Sequence, residues 1–105
     1  MILTLAKLKD EIKRKLPKVN FAPHFYTQVE KRPYLCEEMI IDALKDFDNY
    51  LGFQTHFVRG EERHRIGIKI SGRYNLVVVI EFTRQDLNII TAWKTSRKWQ
   101  KAIQK

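Results

Sequence analysis

Cations recur with a strand-like spacing in the second half of this chain. Arg59, Arg63, Arg65 and Lys69 are followed by Arg73, and then by Lys94, Arg97 and Lys98. A guanidinium is a planar fork that holds two phosphate oxygens at once, and a cluster of them can stabilise the extra negative charge of a five-coordinate phosphorus transition state. Three histidines, His24, His56 and His64, supply the proton carriers such chemistry needs, because imidazole titrates near neutrality. The sequence holds no phosphate-cradling glycine loop, no GxSxG elbow and no HExxH helix, so an enzyme here must use scattered residues. Trp93 and Trp99 flank the Lys94–Lys98 segment and fit either base stacking or core packing. Cys36 stands beside Glu37 and Glu38, not beside cations that would activate a thiolate. The same basic residues also suit a solvated face or a face that only binds nucleic acid.

The elements that must hold these residues centre on Glu62–Phe82. In Glu62–Ile70, Ile66, Ile68 and Ile70 alternate with Arg63, Arg65 and Lys69, so one strand carries both core and cations. Ser71–Arg73 reads as a turn, and the unbroken apolar run Leu76–Ile80 reads as a central strand covered on both faces. Before this hairpin, Phe53–Val58 alternates as a strand; after it, Leu87–Trp93 forms another. Thr95 or Ser96 is placed to cap a short C-terminal helix bearing Trp99, Ala102 and Ile103.

Residues 2–16 place Leu5, Leu8, Ile12 and Leu16 at helical spacing, and Pro17 ends that pattern. A helix laid on the core explains it more simply than a detachable binding arm. Val19–Ala22 allows a short strand, Pro23 opens a helix to Lys31, and Tyr34–Phe47 is amphipathic with an acidic outer side. The expected fold class is therefore α+β, with N-terminal helices packed on a four-stranded antiparallel sheet and a short C-terminal helix. A single domain is expected over residues 1–105, with residues 1–17 as a helical extension and 18–105 as the core.

The formal charge is +8 over 105 residues. Residues 1–20 carry a net +4, residues 21–57 a net −3 and residues 58–105 a net +7. An acidic middle between basic ends implies one positive face and polyanionic partners. A lone cysteine and the lack of a long apolar run lead us to expect a cytoplasmic protein, with no membrane partner, no metal and no cofactor.

From Val19 onward the chain resembles the RelE/ParE-like toxin superfamily, and within it the BrnT-like small domains. The resemblance rests on Pro23-His24-Phe25 opening a helix, Lys31-Arg32 eight residues on, Glu37-Glu38-Met39-Ile40 followed by Ala43-Leu44, and a meander ending Ile89-Ile90-Thr91-Ala92. It implies a metal-independent ribonuclease toxin that cleaves RNA, free or on the ribosome, by 2′-hydroxyl attack, and that is held by an acidic antitoxin protein. Position by position, it implies His24, Arg63, Arg65, Lys69 and Lys94 as the catalytic set. Arg59, Arg73, Arg97, Lys98 and Trp99 would then contact the nucleic acid. Some members of the superfamily bind gyrase and cut no RNA, so the layout alone does not fix an activity.

Overall fold

The structure, a computed structural model, describes residues 3–32, 35–72 and 74–96. The chain begins with α1 (Leu5–Lys15), whose N-cap Thr4 accepts a hydrogen bond from the Lys7 amide. Leu8 and Ile12 are fully buried, a gross gain of about 1.5–3 kcal/mol each, so α1 belongs to the core and is not a detached arm. Lys15 at its last turn is also buried. Its Nζ donates to the Thr83 carbonyl at 2.6 Å and lies 5.1 Å from the Phe82 ring centroid. Desolvation, reinforced by Arg14, pulls its pKa below the usual lysine value, while Asp86 acts the other way.

A one-turn 3-10 helix (Leu16–Lys18) leads into β1 (Val19–Phe21), followed by α2 (Pro23–Lys31) and α3 (Glu37–Lys45). The sequence pattern had suggested that α3 runs from Tyr34 to Phe47, and the observed helix is shorter at both ends. Cys36 is its N-cap, with Sγ accepting from the Met39 amide at 3.4 Å, and Asp46 leaves helical backbone at φ −88°, ψ 67°. Leu35 still enters the core and Phe47 still packs against it, from outside the helix. Pro33 and Tyr34 lie outside the described residues.

Four long strands follow: β2 (Tyr50–Val58), β3 (Glu61–Lys69), β4 (Tyr74–Phe82) and β5 (Leu87–Ser96). They form the expected antiparallel meander, but the sheet has five strands and is mixed, in the order β1-β5-β4-β3-β2. β1 adds to the edge of β5 in parallel, Val19 opposite Leu87 and Phe21 opposite Ile89. The expectation of a purely antiparallel four-stranded sheet is thus corrected by a three-residue strand whose partner lies far along the chain. β5 is also longer than expected: Leu76, Asn75 and Tyr74 pair with Lys94, Thr95 and Ser96, so Thr95 is a ladder residue. The C-terminal helix expected after it lies outside the described residues.

β4 is the middle strand, and Leu76, Val77, Val78 and Ile80 are all fully buried, as its apolar run requires. One sheet face, carrying Ile66, Ile68, Leu76, Val78, Ile80, Leu87 and Ile89, joins Leu8, Ile12, Phe25, Ile40 and Leu44 in a single apolar cluster. The helices cover that face. Tyr50 at the start of β2 is buried too, its hydroxyl donating to the Leu44 carbonyl at 2.7 Å, which satisfies an orphan of the α3 C-terminus. Among the described residues no helix is long and apolar enough to cross a membrane.

Candidate nucleic-acid interface

The opposite sheet face carries the cations. Residues directly opposite each other in antiparallel strands share a face. His56 lies opposite Arg63, Gln54 and Val79 flank Arg65, and Thr91 lies opposite Val79. Between Val79 and Ile80 the register shifts, and Ile90 of β5 is the extra residue, bending the ladder there. His24 arrives from α2. Ala22 ties the helix start to the sheet, its amide donating to Ile89 at 2.8 Å and its carbonyl accepting from Phe25 at 2.9 Å. Pro23 then opens the helix with its φ already set, and His24 follows beside Ile90 and Thr91.

These elements enclose a groove. His24, His56, Arg63, Arg65, Val79, Thr91 and Trp93 line a cavity of about 210 Å³. That is room for roughly seven waters at ~30 Å³ each, the scale of a phosphodiester group and not of a whole nucleotide. A second cavity of about 520 Å³ continues it, sharing His24, Val58, Arg63 and Ile90 and adding Pro23, Arg59 and Glu61. Arg59 holds φ 53° and Gly60 φ 81°, the paired positive angles of a tight two-residue hairpin. Glycine takes this backbone freely; arginine does so at a cost, and the turn carries Arg59 to the groove mouth.

The two central arginines differ in their surroundings. Arg63 sits between two carboxylates, Glu61 and Glu81, each at 3.6 Å. Arg65 has no carboxylate within 4 Å among the described residues, and its guanidinium carbon lies 5.6 Å from the Trp93 ring centroid. Arg63 Nε, Arg65 Nε and Thr91 Oγ1 are shielded from water and have no hydrogen-bond partner among the described residues. Arg63 Nε still faces the Glu81 carboxylate, whereas an orphan without a charge partner, as at Arg65 and Thr91, costs about 1–3 kcal/mol, and internal bonding at this cleft is incomplete. At the rim, the Gln28 side-chain nitrogen is 3.5 Å from His24 Nε2.

Of the catalytic set expected from the sequence, His24, Arg63 and Arg65 meet in this groove, and Lys69 and Lys94 do not. Lys69 lines a separate cavity of about 650 Å³ with Asp42, Asp46 and Asn49. That lining sets two aspartates against one lysine and is unsuited to a phosphate. Lys94 lies opposite Leu76, in the row of the helix-covered face, with Nζ 5.6 Å from the Tyr74 ring centroid. Of the residues expected to contact nucleic acid, Arg59 lines the groove mouth, and Arg73, Arg97, Lys98 and Trp99 lie outside the described residues. His64 is buried on the other face, between the rings of Phe53 and Phe82. Its Nδ1 is 3.0 Å from Thr55 Oγ1 and its Nε2 3.4 Å from Glu62. Desolvation lowers its pKa and Glu62 partly opposes this. Nothing in the sequence ranks His56 above His64, since both alternate into strands; the pairing with Arg63 does.

Among the described residues no three His, Cys, Asp or Glu side chains come together as a metal-binding set. Cys36, the capping residue, is exposed. Comparison of the chain with protein-family models, with curated proteins and with solved structures finds no match in any of the three. The functional reading rests on the groove itself.

Proposed function

We propose that the groove binds the phosphate backbone of RNA and cleaves it without a metal ion. The observation that carries this reading is the presence of two imidazoles, His24 and His56, in one cavity with Arg63 and Arg65. One imidazole takes the proton of a ribose 2′-hydroxyl, whose oxygen attacks the adjacent phosphorus. The bond to the 5′-oxygen breaks, and the other imidazole returns a proton to that leaving oxygen. The products are a 2′,3′-cyclic phosphate and a 5′-hydroxyl. Arg65, with no carboxylate at hand, offsets the charge that grows on the equatorial oxygens. Trp93 offers a flat surface beside it for a neighbouring base. The wider role, a toxin held by an acidic antitoxin laid over the basic face, is drawn from the RelE/ParE-like resemblance alone.

The test is incubation of the pure protein with end-labelled RNA in EDTA, with and without ribosomes. Cyclic-phosphate ends are expected, absent from an Arg63→Ala, Arg65→Ala variant and from RNA carrying a 2′-deoxy sugar at the cleaved site. His24→Ala and His56→Ala should each slow cleavage by about 10²–10⁴-fold. Salt-sensitive binding with no cleavage would leave a nucleic-acid-binding module that uses the same face.

A further inference from the structure

The larger cavity that continues the groove differs from it in chemistry. Its volume, about 520 Å³ against about 210 Å³ for the groove, falls in the range of roughly 300–1,000 Å³ typical of small-molecule sites. Pro23, Val58 and Ile90 supply apolar walls, and Val58 is 40% exposed. Glu61 is the one carboxylate of the lining among the described residues. Strand register explains its place. Val58 lies opposite Glu61 and His56 opposite Arg63, so Glu61 stands on the groove face, one pair beyond the imidazole and the arginine. Successive residues on one face of a strand are about 6.6–6.8 Å apart, a single step along the groove from Arg63. Glu61 Oε2 is 3.6 Å from a terminal nitrogen of Arg63, and with the side chain 57% exposed the carboxylate remains open to a ligand.

We propose that this cavity is a base subsite and that Glu61 makes it select guanine. The inference rests on the RNA reading of the neighbouring groove. A carboxylate beside a polyanion repels it unless the carboxylate accepts hydrogen bonds from the ligand. Bases of single-stranded RNA offer their Watson–Crick edges to such groups. Guanine alone presents two adjacent donors there, N1–H and the N2 amino group, which match the two oxygens of a carboxylate. Adenine and cytosine each set one amino donor beside an unprotonated ring nitrogen, and uracil sets one N–H between two carbonyls. Each of these leaves an acceptor against the carboxylate, so Glu61 rejects them as well as favouring guanine. Val58, Ile90 and Pro23 flank the ring, and Arg63, shared by both cavities, links the base to the phosphate beside it.

Calorimetric titration with the four ribonucleoside 3′-monophosphates and the four 5′-monophosphates tests the subsite without any cleavage. In at least one series the guanine nucleotide is expected to bind about tenfold or more tightly than the other three. Glu61→Gln keeps the shape of an exposed side chain, replaces one acceptor oxygen by a donor, and should abolish that preference with the circular dichroism unchanged. Cleavage of mixed-sequence RNA should fall beside guanines in the parent and lose that bias in the variant. Equal affinities for the four bases, no binding of any, or a Glu61→Gln variant that binds all four more tightly by one common factor would overturn the subsite. RNA cleaved without base bias would overturn it too while leaving the ribonuclease reading intact. Guanine-selective binding without cleavage would support the subsite and remove the nuclease.

Discussion

Arg65 gives the sharpest test of the groove, because two substitutions there separate charge from geometry. Its guanidinium has no carboxylate within 4 Å among the described residues and lies over Trp93. If it contacts one RNA phosphate, Arg65→Ala should reduce the slope of log affinity against log salt by about 0.7. At about 0.1 M salt that is roughly fivefold, or about 1 kcal/mol. The contact with Trp93 exists without RNA, so its loss affects stability and the weakening of binding stays at roughly fivefold. Arg65→Lys keeps the charge and loses the fork. Its salt slope should equal that of the parent and its affinity fall only about threefold, while cleavage drops by about 10²–10³ because the paired bonds to the transition state are gone. Fluorescence anisotropy with a labelled single-stranded RNA from about 50 to 300 mM KCl measures the slopes. A parental slope in Arg65→Ala would mean that phosphate does not pass this residue, and the groove would lose its assignment.

Three further outcomes follow from the packing. The folded state holds His64 below its unfolded pKa of about 6.5, so its neutral form supports folding above that pH and protonation disfavours the fold below it. Urea midpoints should therefore fall between pH 7 and pH 5, by at most about 1.4 kcal/mol per pH unit from this group; an equal fall in His64→Gln would refute the assignment. Tyr50→Phe leaves the Leu44 carbonyl without its donor and should cost about 1–2 kcal/mol, visible as a lower thermal midpoint; an unchanged midpoint would show that water replaces the hydroxyl. Arg59→Asn removes a strained residue from the left-handed region and should raise stability by about 0.5–1 kcal/mol while weakening RNA binding, and a variant that gains no stability would contradict the strain.

Much of the secondary structure was legible because it depends on local patterns. The alternation of Ile66 and Ile68 with Arg63 and Arg65, the apolar run of β4 and the Leu8–Ile12 stripe each reflect a side-chain period that backbone geometry imposes. The pairing of β1 with β5 was not legible: three residues carry no period, and their hydrogen-bond partners begin at Leu87. The groove shows the same division. Alternation alone put Arg63 and Arg65 on one face, but His56, Thr91 and Trp93 join them through cross-strand register, and His24 through the anchoring of α2 beside Ile89. Lys69 and Lys94 show the converse, matching the basic pattern in sequence while register and strand length place them elsewhere. A linear sequence fixes which face a side chain takes within its own strand. Which strands lie side by side, and therefore which side chains meet, is decided by the burial of the shared core.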